Sequence, residues 1–146
     1  MHAVSGGCHC GNLLVTVGLS GPPDTYQPRA CDCDFCRKHA AAYLSDPHGS
    51  LLIRMGDARE VARYRQGSGL AEMLLCRNCG VLIAALYQDE RLLYGVVNAK
   101  VLDGWQLFRA PQAVSPKTLS GDEKVSRWRK IWFAEVTVVA NGRTRS

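Results

Sequence analysis

The stretch "EVARYRQGSGLAEMLLCRNCGVLIAALYQDERLLYGVVNA", Glu60 to Ala99, contains four apolar-rich runs separated by short polar breaks. The runs are Glu60–Arg65, Leu70–Cys76, Val81–Tyr87 and Arg91–Ala99, each bounded by Gly, Asp or Asn. Val61, Arg63 and Arg65 share one face of an extended segment, and Ala62 and Tyr64 share the other. Runs of this length with turn residues between them predict β-strands. The three to five connecting residues leave no room for helical crossovers, so the pattern predicts antiparallel pairing and excludes a parallel sheet.

The same reading extends outward. Leu51–Met55 and Leu13–Val17 are predicted strands, the latter closed by a Gly/Pro turn. "TYQPRACDC" is extended, and Pro28 confines it to an edge or a loop. "RKHAAAYL" has only mild helical composition. In "EKVSRWRKIWFAEVTVVANG" one helical turn is expected, followed by a strand over Ala134–Ala140. No repeat, low-complexity segment or linker interrupts residues 1–146, so a single all-β domain is expected.

With 47% hydrophobic and 21% charged residues the composition is that of a soluble globular protein. No apolar run approaches the length of a membrane helix. "MHAVSGGCHC" has no basic-then-apolar pattern, so no signal peptide is expected and the protein is placed in the cytoplasm. The formal net charge is +5, and residues 117–146 hold seven basic residues against three acidic ones. This basic tail, with Trp128, Trp132 and Phe133, offers a surface for an acidic partner. No nucleic-acid motif accompanies it. Core packing is the simpler reading of the aromatics.

Seven cysteines cannot all form disulfides, and close spacing without a secretory signal favours metal. "GGCHCG" supplies Cys8 and Cys10, and "CRNCG" supplies Cys76 and Cys79. In each pair a glycine follows, relieving the backbone of the tight turn that aims both thiolates at one ion. The two pairs together complete a four-thiolate structural zinc site, which in a small β domain can contribute roughly 10 kcal/mol to folding. "CDCDFCRKHA" then holds Cys31, Cys33 and Cys36 with no cysteine left for a fourth ligand. Either His39 closes that site, or the position stays open for water or substrate, as catalytic zinc requires. Asp32 and Asp34 are candidates for orienting ligands or relaying a proton, and both also suit a turn. Three thiolates on a divalent ion leave a net negative site. Arg37 and Lys38 would offset that charge or hold a substrate carboxylate.

Taken together, "GGCHCG", "CDCDFCRKHAA", "ARYRQGSGLAEMLLCRNCG" and "LLYGVVNAKVLD" resemble, in order, the glutathione-dependent formaldehyde-activating enzyme family, which includes the centromere protein V domain. The resemblance covers about residues 5–103, leaving 104–146 as an extension. It implies an all-β fold of antiparallel sheets arranged like a tent, with two zinc ions per chain. The structural zinc maps onto Cys8, Cys10, Cys76 and Cys79, and the catalytic-type zinc onto Cys31, Cys33 and Cys36. The implied activity is that of a carbon–sulfur lyase on a thiol adduct such as S-hydroxymethylglutathione, formed from glutathione and formaldehyde. The chain departs from the family pattern at Asp32, often histidine there, and at Ala41-Ala42, usually Gly-Ala. Two other readings stand beside the enzyme. One is a zinc-stabilised, non-catalytic module that binds protein or nucleic acid through the basic tail, the nucleic acid being the less favoured partner. The other has both zincs structural, with His39 or a partner chain of an oligomer completing the triplet.

Overall fold

The structure is a computed structural model and describes residues 1–140 and the backbone of 143–145. Along the chain run β1 (His2–Gly7), β2 (Leu13–Leu19), β3 (Arg29–Cys31), α1 (Asp34–Lys38), β4 (Tyr43–Leu44), β5 (Ser50–Met55) and β6 (Val61–Arg65). Then follow β7 (Glu72–Cys76), β8 (Leu82–Gln88), β9 (Leu93–Asn98), β10 (Gln112–Val114), α2 (Gly121–Ile131), β11 (Glu135–Ala140) and β12 (Arg143–Arg145). They form two sheets, one in the order β1-β2-β5-β11-β12 and one in the order β10-β3-β4-β9-β8-β7-β6. The protein is thus mostly β with antiparallel-rich sheets and few helices.

Alternation builds the first sheet. Leu13, Val15, Val17 and Leu19 are buried while Leu14 and Thr16 face out. Ile53 and Val138 repeat the pattern in β5 and β11. One face therefore enters the core, and a one-residue slip would expose it. The second sheet behaves differently. Leu82 through Leu86 are all buried, because both faces of β8 are covered. Ile83, Leu86 and Val97 pack toward the first sheet, whereas Leu82, Ala85 and Val96 pack with Cys36, Tyr43 and Trp132 on the other side. The second, smaller core is the floor of the candidate site.

Two pairings depart from the all-antiparallel expectation. β11 lies parallel to β5, with Val138 opposite Ile53, and β10 lies parallel to β3, with Val114 opposite Cys31. Short loops restrict only strands adjacent in sequence. Both parallel partners return from far along the chain after it has passed through other elements. The expected helical turn is also longer than expected. Ser120 caps α2, accepting from the Glu123 N–H while the Glu123 carboxylate accepts from the Ser120 N–H. This reciprocal cap starts the eleven-residue helix.

β1 had no strong strand signal because it is glycine-rich. Its Gly6 is needed for close packing: a Cβ there would stand 2.0 Å from the Val101 carbonyl oxygen. Phe133, fully buried, exchanges backbone hydrogen bonds with Gly95 of β9 (2.9 and 3.1 Å). That clamp pins the end of α2 over the second sheet and fixes where Trp132 points. Among the described residues no helix is long and apolar enough to cross a membrane.

Candidate metal centres and the adjoining cavity

The turn between β1 and β2 carries Cys8 and Cys10, and the turn between β7 and β8 carries Cys76 and Cys79. These hairpin ends belong to different sheets, yet the four Sγ atoms lie within 4.8 Å of one another. Cys8 and Cys10 are 3.7 Å apart, and Cys10 and Cys76 are 3.5 Å apart. Thiolates about 2.3 Å from a tetrahedral ion would be separated by about 3.8 Å, so the donor set fits one metal. Gly11 and Gly80 adopt φ of 84° and 83°, the left-handed conformation that the glycine after each pair was expected to supply. Backbone N–H groups of Leu13 and Cys79 donate to the sulfurs of Cys8 and Cys76 (3.3 and 3.4 Å). Burial pushes the Cys76 thiol up to about 12. Burial also works against Cys79, yet backbone N–H donors from Cys10 and Val81 outweigh it and bring its thiol down to about 6. A cation bound among the four sulfurs would displace the thiol protons.

The second cluster forms where β3 ends and α1 begins. Cys31 closes the strand, Cys33 is the helix N-cap accepting from the Cys36 N–H, and Cys36 is buried in the helix. Their Sγ atoms also lie within 4.8 Å of one another. A hydrogen bond from the Cys36 thiol, against the effect of burial, holds Cys31 down at about 6, while Cys36 itself is pushed up. Two cysteine clusters that could hold metal ions are therefore present, one with four donors and one with three.

The triplet opens on a cavity of about 450 Å³ lined by all three cysteines. Tyr43, which no sequence pattern marked, places its hydroxyl 3.1 Å from the Cys36 sulfur. Burial and the neighbouring thiol both push the Tyr43 phenol up, so it stays protonated and can donate. Gln66 Nε2 approaches the Cys33 sulfur at 3.9 Å. Trp128 and Trp132 stack with ring centroids 4.6 Å apart and form one wall. Arg29, Lys117, Lys124 and Arg127 supply its cations. Lys124, Arg127, Trp128 and Ile131 occupy one face of α2, a spacing legible in the sequence once the Ser120–Glu123 cap is recognised.

The remaining sequence candidates fall elsewhere. Arg37 and Lys38 are exposed and do not line the cavity, and Arg37 pairs at 3.7 Å with Asp34. His39 is exposed with its ring against Phe35 and stands apart from the three sulfurs. Asp34 reaches the cavity rim. Asp32 turns instead to Ser115 Oγ and Lys117 Nζ. Trp132 and Phe133 are buried and Trp128 is half-buried, as the packing reading of these aromatics expects. Of the basic tail, Lys117, Lys124 and Arg127 line the cavity, and Arg129 pairs with Asp89 at 2.8 Å. The side chains of Arg143 and Arg145 lie outside the described residues.

Comparison with known proteins places this geometry. Among curated proteins none matches the chain. A crystal structure of a Rhodobacter sphaeroides protein, a structural genomics target, is similar with 29% identity and a TM-score of 0.55. The alignment covers 75% of this chain and 99% of that one. The sequence profile of the family described as "Glutathione-dependent formaldehyde-activating enzyme" matches residues 3–118, beyond Asp103 where the recognisable motifs stop. The chain belongs to the glutathione-dependent formaldehyde-activating enzyme family.

Proposed function

We propose that the chain is a zinc-dependent carbon–sulfur lyase acting in the cytoplasm on a thiol adduct such as S-hydroxymethylglutathione. Cys8, Cys10, Cys76 and Cys79 hold a structural zinc that ties the two sheets together. Cys31, Cys33 and Cys36 hold the second zinc, with Tyr43 and Gln66 fixing the sulfurs by hydrogen bonds. One observation carries the reading: the four-cysteine cluster has a full set of four donors at the ends of two hairpins, whereas the three-cysteine cluster lacks a fourth and faces a cavity large enough for a small organic molecule.

Zinc held by Cys31, Cys33 and Cys36 would supply an open coordination position and the Lewis acidity that favours a substrate sulfur as thiolate. The chain's own residues do the rest. The wall formed by Trp128 and Trp132 limits water at the reacting carbon. Asp34, at the cavity rim, accepts the proton of the adduct's hydroxyl. As that proton leaves, the carbon–oxygen bond becomes a carbonyl, the carbon–sulfur bond breaks, and its electron pair goes to sulfur. The products are formaldehyde and the thiolate, with the proton on Asp34.

The test is Cys33→Ser. Wild type should contain about two zincs per chain and release formaldehyde from S-hydroxymethylglutathione. The variant should keep its far-ultraviolet spectrum and about one zinc, and lose turnover by at least about a hundredfold. A folded variant with full activity would refute the proposal.

A further inference from the structure

A second cavity, of about 720 Å³, opens on the other side of the strands that frame the first. Neighbouring residues of an extended chain face opposite ways. Arg29 and Tyr43, opposite each other in β3 and β4, line the cavity beside the three cysteines. Pro28 and Ala42, each one residue earlier, line the second cavity instead. Together with Ala99 and Phe108 they form its buried, apolar floor. Trp105 stands at its mouth, 48% exposed, beside Lys100 and Arg109. The wall is fixed by hydrogen bonds. Gly104, at φ 75°, turns the chain so that the Leu107 and Phe108 N–H groups bond back to the Gly104 and Trp105 carbonyls (2.9 and 3.2 Å). The Arg109 N–H donates to the Tyr26 carbonyl (2.9 Å), the Gln27 amide to the Ala110 carbonyl (3.0 Å) and the Gln112 N–H to the Pro28 carbonyl (2.9 Å). The groove is therefore formed before any ligand arrives, and little ordering accompanies binding.

We infer that this cavity is a binding site for a small aromatic carboxylate, its ring between Trp105 and the apolar floor and its carboxylate on Arg109 and Lys100. Charge sets the sign of the ligand. No acidic residue lines the cavity. Among the described residues neither Lys100 nor Arg109 pairs with a carboxylate. The Arg109 Nε donates to the Asp24 carbonyl (3.2 Å), which holds the guanidinium while its terminal nitrogens keep no partner among the described residues. A fork held in this way accepts a carboxylate through two parallel hydrogen bonds. The lining sets the shape of the ligand. Beyond the two cations and Gln106 the cavity is walled by apolar groups, with the flat faces of Trp105, Phe108 and two prolines among them. Such faces favour a ring over a flexible chain. The site lies one strand layer behind the three cysteines and uses none of the residues of the proposed reaction, so it stands whether or not the lyase reading does.

The experiment titrates the ¹⁵N-labelled, zinc-loaded full chain with 2-naphthoate and with neutral 2-naphthamide. The chain has three tryptophans, and their indole N–H signals are assigned by Trp105→Phe, Trp128→Phe and Trp132→Phe. In wild type 2-naphthoate should shift the Trp105 signal with a Kd of about 1 mM or below, and about tenfold or more tightly than 2-naphthamide. Arg109→Gln should weaken 2-naphthoate about tenfold and leave 2-naphthamide unchanged. Lys100→Gln, at an exposed position that leaves the wall intact, should do the same to a smaller extent. Arg127→Gln, in the other cavity, should change neither. Shifts confined to Trp128 and Trp132 would place the ligand beside the cysteines and overturn the site. Equal binding of acid and amide, or unchanged 2-naphthoate binding in both Arg109→Gln and Lys100→Gln, would overturn it as well. So would sedimentation showing a dimer that Trp105→Ala dissociates, since a second copy would then fill the groove.

Discussion

Asp46 is only 4% exposed and accepts four hydrogen bonds. Its Oδ2 receives the Ser20 N–H (2.9 Å), the Ser20 hydroxyl (2.7 Å) and the Tyr26 hydroxyl (2.5 Å), and its Oδ1 receives the His48 N–H (2.9 Å). The carboxylate thus fastens the β2 end and the Tyr26 turn to the segment carrying Tyr43 and Ser45, two residues that shape the cavity. In Asp46→Asn, one amide oxygen replaces two acceptors. The amide NH2 then confronts the His48 N–H, leaving a buried donor unpaired at about 1–3 kcal/mol, and the three remaining bonds lose their charge assistance at about 0.5 kcal/mol each. The expected loss near neutral pH is about 3 kcal/mol. The pH dependence gives a second, independent check. Burial alone would raise the Asp46 carboxyl, but the hydrogen bonds from Tyr26, Ser20 and His48 outweigh it and bring it from 3.8 to about 2. A depressed folded-state value gives stability that is complete above the unfolded value and is lost as pH falls through the window from 3.8 to about 2. Allowing for solvent screening, that contribution is about 1–2 kcal/mol. Urea unfolding of wild type and variant, compared pairwise at pH 7, 5, 4 and 3, checks both numbers and cancels the acid loss of metal common to the two proteins. The gap should be largest at pH 5–7 and shrink toward pH 3. A variant within 0.5 kcal/mol of wild type at pH 7, or a gap that does not change with pH, would refute the reasoning.

Other perturbations separate the two cysteine clusters and probe local strain. Cys79→Ser should bring the protein to a largely unfolded or aggregated state, seen as loss of the cooperative thermal transition, because its cluster joins the two sheets; a folded protein losing only one zinc would contradict a structural role. Chelator treatment of wild type should do the same, whereas Cys33→Ser stays folded. Ala40, at φ 50°, ends α1 with its N–H and that of Ala41 bonded to the Arg37 and Cys36 carbonyls. Glycine adopts that left-handed cap freely, so Ala40→Gly should stabilise by about 0.5–1 kcal/mol in urea unfolding, and a loss would show the cap to be unstrained.

The sequence by itself determined the strands with strong local patterns and the grouping of the cysteines. β2, β5 through β9 and β11 lie within a few residues of the apolar runs that predict them, since period-two burial is written into side-chain order. The Cys–x–Cys and Cys–x2–Cys–Gly pairs needed no tertiary knowledge, because ligand spacing and the glycine φ are local properties. What the tertiary structure decided is long-range. The parallel partners β5–β11 and β3–β10 come from distant segments, and loop length carries no information about them. β1 was hidden because Gly6 is selected by close contact with Val101, and Gly7 by close contact with Leu13, and not by strand propensity. The cations directly after the triplet, Arg37 and Lys38, point to solvent, because a short helix turns them away from the sulfurs it positions. Of the charges that reach the cavity, Arg29 lies two residues before Cys31, whereas Lys117, Lys124 and Arg127 lie roughly eighty to ninety residues downstream of the triplet. Lys124 and Arg127 arrive there because Phe133 clamps onto Gly95 and lays α2 across the second sheet.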